Sequence, residues 1–471
     1  MFRSPPSFWI FLVLLFLSPA ARGYAESVPP ALGKVHPALV LWPIQGAEPI
    51  SIDSYRGTKV LVIYFSTWST KSHRHVTLWQ EATKPWVAEK ELVVLGVMLE
   101  QHRDRCRLFA QWKSLEIPLL HDPLNLAGIE KVPMVVGVDE HGIVRSVDPD
   151  PKNIAQDFVN RKFKSSGAVT RTHVMGLPRP KYTARMAEEA RNAKGWREHG
   201  DALLLAGLPP QINEAILTYP RAIQLDPEDT LSRFRLGVGY RIRYDSVERQ
   251  PGDFQAAIDA WREAVRGAPK NKVFRSRIQQ YGIRHERGSM YRWIKTARSD
   301  LLARGETPVE LAVEPAPIEL AGPRKKFMSN SSTGPADENA EQVTRDSQDL
   351  VGFESVVVQG TRSKNKRYAQ VLLIFRAKKG QHWHNGGKPL QVRVDRPKGV
   401  RVERRFIEYP NPESPSSDEE RILNFEVGLR KKNPNSSVRI KGYATYELNE
   451  GGKPLRLRRD FEVKFALDLK E

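Results

Sequence analysis

The side chains best suited to chemistry crowd into one short run, Trp68-Ser69-Thr70-Lys71-Ser72-His73-Arg74-His75. Serine beside histidine invites a hydrolase reading, in which an imidazole takes the proton of a nucleophilic hydroxyl. The run has no G-x-S-x-G elbow to lift a serine off a strand end, and no acid is placed to orient the imidazole. Ser69 is instead expected to cap the helix that follows, its oxygen accepting an orphan amide. His73 and His75 stand two apart on that helix and point to different faces, which argues against joint metal ligation.

Two further places carry reactive groups. Cys106, the single cysteine, lies in Arg103-Asp104-Arg105-Cys106-Arg107, where guanidinium groups would favour a thiolate; the alternative is a small buried residue packed with Phe109 and Ala110. His382 and His384 share one face of a strand at a spacing compatible with a metal, yet no third ligand accompanies them. No metal and no cofactor is expected.

These groups need a scaffold, and residues 36–164 supply alternating strands and helices. The apolar run Lys59–Phe65 is a buried strand, His73–Val87 an amphipathic helix, Leu92–Leu99 a second strand, Asp104–Leu115 a helix and Met134–Val138 a strand. Such alternation predicts a mostly parallel sheet. Asp139-Glu140-His141-Gly142 reads as a hairpin turn into Ile143–Val147.

This pattern resembles the thioredoxin-like redoxins, in particular bacterial thiol:disulfide reductases and peroxiredoxin-related proteins. The matching pieces are Tyr55-Arg56-Gly57, Phe65-Ser66-Thr67-Trp68, Gly96-Val97 and Val132-Pro133-Met134 followed by Gly142. The resemblance implies a cis proline at Pro133 beside the redox motif. It also implies W-C-x-x-C where this chain has Trp68-Ser69-Thr70-Lys71-Ser72. Dithiol exchange needs a thiolate and a resolving thiol, and the hydroxyls of Ser69 and Ser72 supply neither. A peroxidatic cysteine would also fall near Ser69, so peroxidase chemistry is lost with it.

From residue 181 to 304 the pattern turns helical. Ala215-x₃-Tyr219-x₂-Ala222-x₄-Pro227 recurs as Ala257-x₃-Trp261-x₂-Ala264-x₄-Pro269, which resembles the second helix of tetratricopeptide repeats. Trp196 and Gly200 open the first unit, and Ser246–Asp253 reads as an insertion. The resemblance implies a protein partner held on the concave face; the alternative is an internal spacer against the redoxin-like domain.

Residues 305–350 are rich in Pro, Glu, Ser and Asn and read as a linker with partial order at most. Seven strand patterns over 351–471 predict an all-β, immunoglobulin-like sandwich. The run Gly380-Gln381-His382-Trp383-His384-Asn385 resembles the periplasmic amino-terminal domain of the transmembrane thiol:disulfide interchange reductase. That family carries a cysteine pair in its late strands, and Val438–Leu467 contains none.

At 471 residues the chain fits about three domains. Residues 1–25 combine Arg3, an apolar run from Phe8 to Leu17 and small residues, the layout of a cleaved signal peptide, so an exported, periplasmic or extracellular protein without a stable membrane anchor is expected. One cysteine makes no internal disulfide. The net charge of +19 comes from basic residues spread along the chain with no nucleic-acid-binding motif, so nucleic acid is not an expected partner. The sequence thus reads as a non-catalytic scaffold or partner-binding protein of the cell envelope. The alternative is an oxidoreductase or peroxidase working through Cys106.

Overall fold

The computed structural model describes residues 29–164, 177–327, 343–430 and 437–469; the expected signal peptide lies outside them. The first unit opens with β1 (Val40–Pro43) and β2 (Ile50–Ser51), then runs β3 (Lys59–Phe65), α1 (Thr70–Ala88), β4 (Leu92–Met98), α2 (Arg103–Lys113), β5 (Leu119–His121), β6 (Met134–Val138) and β7 (Val144–Val147). The strands form one sheet in the order β2-β1-β5-β4-β3-β6-β7. β3, β4 and β5 are parallel, β6 runs antiparallel to β3, and β7 runs antiparallel to β6. With the cis Val132–Pro133 bond at the entry to β6, this is a thioredoxin-like arrangement. The expected turn is present, with Gly142 at φ 81°, where a side chain would be strained.

Alternate residues of β3 serve two cores. Leu61, Ile63 and Phe65 join Val76 and Trp79 of α1 and Cys106 and Phe109 of α2. Val60, Val62 and Tyr64 belong to another cluster, continuous with Leu124, Leu126 and Ile129 and with Leu203, Phe234 and Trp261 of the helical region. Burial thus runs through the boundary between the two units.

The helical region comprises α3 (Pro180–Ala190), α4 (Ala193–Ala206), α5 (Pro209–Leu225), α6 (Thr230–Tyr244), α7 (Asp253–Gly267), α8 (Lys272–Gln279), α9 (Arg284–Arg287), α10 (Trp293–Ala303) and α11 (Pro317–Leu320). Two helix hairpins, α4/α5 and α6/α7, repeat one packing device: an aromatic ring of the second helix lies on a glycine of the first. A Cβ at Gly200 would come within 2.7 Å of the Tyr219 ring, and one at Gly237 within 2.5 Å of Trp261. The expected insertion, Ser246–Asp253, lies between α6 and α7 except for Asp253, which is the first residue of α7.

The carboxyl-terminal unit holds β8 (Val351–Gln359), β9 (Tyr368–Ala377), β10 (Trp383–His384), β11 (Leu390–Val394), β12 (Val400–Val402), β13 (Phe406–Tyr409), β14 (Ser416–Ser417), β15 (Arg421–Leu429), β16 (Ser437–Glu450) and β17 (Lys453–Ala466). All pairings are antiparallel: β12-β15-β9-β8 forms one sheet, and β13-β11-β16-β10-β14, with β17 on β16, forms the other. Leu373, Phe375 and Phe425 of the first share a core with Val392, Ile440 and Tyr446 of the second. The sequence pattern predicts one strand over Val400–Ile407, and the structure has two there, β12 and β13, in different sheets. Glu403, buried, continues the pairing of β12 with β15 by donating its amide to the Glu426 carbonyl at 2.8 Å, and the chain crosses to the other sheet over residues 404–405.

Part of the expected linker is firmly packed. Residues 307–320 strap α2: the Val309 amide donates to Gln111, the Ala312 amide to Asp104, and Glu319 meets Arg105 in a fully buried ion pair at 2.7 Å. The partners are 214 residues apart, which is why composition alone reads this stretch as loose.

Candidate functional site

Ser69 leaves the end of β3 in extended conformation and caps α1, its Oγ accepting the Ser72 amide at 3.4 Å and its carbonyl accepting the same amide at 2.8 Å. Ser69 is half-buried, whereas Ser72 is fully buried with an Oγ that has no partner. One position of the pair is thus reachable and the other shielded. Pro133 immediately precedes Met134, which pairs with Tyr64, so it stands beside the strand end that delivers Trp68 and Ser69. Trp68 packs against the cluster on the α1 side.

The histidines do not serve the serines. His73 Nε2 donates to the Thr67 carbonyl at 2.5 Å, and its ring lies 4.9 Å from Phe109, 5.9 Å from Trp112 and 6.1 Å from Trp293. His75 Nε2 accepts from Trp79 Nε1 at 3.0 Å. Burial lowers the pKa of both imidazoles. No Ser–His hydrogen bond exists here, so a triad has no beginning.

Cys106 is fully buried in α2, its Sγ 3.7 Å from the His102 carbonyl. Burial pushes its thiol well above the ordinary value, and the Glu100 and Asp104 charges push the same way against Arg277 and Arg103. Desolvation outweighs the guanidinium groups that the sequence brings near it. His382 pairs with Asp418, and among the described residues no three His, Cys, Asp or Glu side chains gather closely enough for a metal.

A residue that sequence reasoning missed lies behind the serine motif. Glu100, just past β4 and fully buried, accepts the Thr67 amide at 2.6 Å, the Thr67 hydroxyl at 2.7 Å and the Tyr291 hydroxyl at 2.8 Å. The residue preceding Trp68 is thereby fixed through a carboxylate to the helical region. Above it, Trp293 stacks on Trp112 at 5.8 Å and faces Phe109 at 5.4 Å.

The segment between β5 and Pro133 is held as closely. Arg235 of α6 donates to the Leu124 carbonyl at 3.1 Å and the Asn125 carbonyl at 3.3 Å while pairing with Asp201 of α4 at 2.6 Å. Arg277 donates to the Pro123 carbonyl at 3.2 Å, and the Lys272 amide to the Glu130 carbonyl at 2.7 Å. Arg235, Arg277 and Lys272 of the helical region thus hold this chain's own residues 123–130.

No family model and no curated protein matches the chain. Solved structures that match part of it are thioredoxin-like thiol-disulfide oxidoreductases. The thioredoxin domain of a thiol-disulfide oxidoreductase from Bacteroides vulgatus is 20% identical, with 28% of this chain and 99% of that chain covered at a TM-score of 0.26. A secreted thiol-disulfide isomerase from Corynebacterium glutamicum is 15% identical over 26% of this chain and 83% of its own, with a TM-score of 0.24. A secreted Mycobacterium tuberculosis disulfide oxidoreductase is 12% identical over 26% and 93%, with a TM-score of 0.23.

Proposed function

We propose that this is an exported, non-catalytic scaffold in which a thioredoxin-like domain with a Ser69-x-x-Ser72 motif is held by tetratricopeptide-like helices and an immunoglobulin-like sandwich. The observation that carries this reading is the pair itself: hydroxyls occupy the start of α1 beside Pro133, and the lone thiol is sealed in the core. Neither a nucleophilic thiolate nor a resolving thiol is available there. Export rests on the layout of residues 1–25, and none of the described helices is long and apolar enough to cross a membrane.

The inner face of the repeats, bearing Asp201, Arg235 and Arg277, is engaged by residues 123–130, which supports internal docking as its role. A partner protein of this region would then meet its outer surface, where Leu217 is 72% exposed and Leu225 52%. Insulin reduction and peroxide turnover by the purified protein test the reading. Background rates, unchanged in Cys106→Ser, are expected; turnover that disappears in Cys106→Ser would establish the oxidoreductase alternative.

A further inference from the structure

One end of the carboxyl-terminal sandwich gathers cations from four segments. Residues 361–367, between β8 and β9, and 395–401, leading into β12, hold seven Lys or Arg and one acid, Asp395. The backbone draws these together with the end of β15. The Leu429 amide donates to the Arg367 carbonyl at 2.9 Å, the Arg430 amide to the Gly399 carbonyl at 3.0 Å, and Arg367 Nη2 to the Arg430 carbonyl. Residues 324–327 join through Phe327, whose ring lies 5.4 Å from that of Tyr368 and 5.4 Å from the Arg401 guanidinium.

The carboxylates that could neutralise this end are buried and spent on the protein itself. Glu286 accepts the Thr361 amide at 2.8 Å, the Thr361 hydroxyl at 2.9 Å, the Arg362 amide at 3.0 Å and Asn365 Nδ2 at 2.7 Å, which fixes the 361–367 turn from inside. Glu403 takes Arg324 at 2.7 Å and the Glu426 amide at 2.9 Å, while Glu426 takes the Arg284 amide at 2.6 Å.

What faces solvent is one-sided. Lys325, Lys326, Arg362, Lys364, Lys398 and Arg430 are exposed, and among the described residues none of them enters an ion pair. Elsewhere surface arginines find carboxylates: on α7 and α10, Arg262 meets Asp259, Arg266 meets Glu263 and Arg298 meets Glu314. Unpaired like charges held on one end repel one another and raise a positive potential there, which an anionic partner relieves. The cations stand on turns and strand ends instead of tracking a groove. Phe327, covered by Tyr368 and Arg401, offers no free ring for a base to stack on, so the layout does not suit single-stranded nucleic acid. It suits a plane of negative headgroups, to which each lysine or arginine adds attraction independently.

We propose that this end of the sandwich docks the protein on an anionic lipid surface, reversibly and without insertion. The docking is electrostatic, with the 361–367 turn and Lys398 against the headgroup phosphates. The inference does not rest on the scaffold reading, and its failure leaves the redox assays untouched.

Cosedimentation of the full chain with vesicles tests it, using phosphatidylglycerol and phosphatidylcholine in equal parts against phosphatidylcholine alone. Binding is expected to the first only, and to be lost as salt rises from about 0.1 M to about 1 M, which shortens the screening length from about 10 Å to about 3 Å. The combined variant Arg362→Gln, Lys364→Gln, Lys398→Gln and Arg430→Gln should partition more weakly by more than about a hundredfold. A control that removes the same charge from exposed positions on the other units, Lys34→Gln, Lys84→Gln, Lys152→Gln and Lys181→Gln, should bind nearly as the parent does. Equal binding to both vesicles, or a control that loses as much as the patch variant, would overturn the proposal. So would a single-stranded oligonucleotide that displaces the protein from the anionic vesicles at equal phosphate concentration, which would assign the patch to nucleic acid.

Discussion

The Tyr291 hydroxyl donates to Glu100 Oε2 at 2.8 Å, joining residues 191 apart in sequence. Glu100 in turn holds the residue before Trp68, so one carboxylate links the helical region to the turn that leads into α1. Removing the hydroxyl in Tyr291→Phe leaves a fully buried carboxylate oxygen with one partner fewer. A loss of about 1–3 kcal/mol is expected in urea unfolding. A variant as stable as the parent would show that the link contributes nothing.

A second outcome follows from the glycine pair of the helix hairpins. Trp261 cannot retreat from a new methyl group at Gly237, because its Nε1 is bonded to the Phe234 carbonyl at 3.1 Å and its ring is fully buried. Gly237→Ala should cost about 1–3 kcal/mol by overpacking. Gly200→Ala, against Tyr219, should cost a similar amount, and Gly207→Ala, with no atom within 4 Å, should suffer only the strain of φ 72°.

The same glycines show what was legible. The boundaries of β3 and the Asp139–Gly142 turn are local properties, so alternation and turn chemistry reach them directly. The second helices of the repeat stand out because Ala, aromatic and Pro recur at fixed spacing. Leu236-Gly237-x₂-Tyr240 was a further repeat signal in the first helix of the second hairpin, overlooked because arginines surround it. Glu100, Tyr291, Arg235 and Glu319 gave no signal at all. Each looks like an ordinary polar residue until the fold brings its partner from more than a hundred residues away.

Acidity should tune the seam between the first two units. Burial, reinforced by the Asp201 charge, raises Asp122 from 3.8 to about 6 against the pull of the Leu126 amide and Arg235. Between these values the folded protein keeps a proton that the unfolded chain has lost, so stability falls as pH rises through the window and stays reduced above it. The contribution is on the order of 2–3 kcal/mol at neutral pH. Asp122→Asn keeps an oxygen for the Leu126 amide and removes the titration. It should gain stability relative to the parent as pH rises from 4 to 7, and subtracting the two profiles cancels Glu198, which titrates at about 7. A constant difference across that range would rule the effect out.

The proposed replacement of a redox motif at Ser69 and Ser72 is tested most directly by placing cysteines at both positions. Ser69 and Ser72 occupy the first turn of α1 as cap and third helical residue, a spacing at which two cysteines meet the Cα separation of a disulfide. Ser69→Cys with Ser72→Cys should therefore form an internal disulfide under mild oxidation, visible as a loss of two thiols and two mass units while buried Cys106 stays reduced. The half-buried thiol at 69 sits at a helix amino terminus, which should draw its pKa below the free value of about 8.5 and support insulin reduction. Each single variant should lack turnover, because one thiol cannot resolve the mixed disulfide. A folded double variant that keeps both thiols free under oxidant would show that this helix start does not have redox-motif geometry, and the scaffold reading built on its loss would go with it.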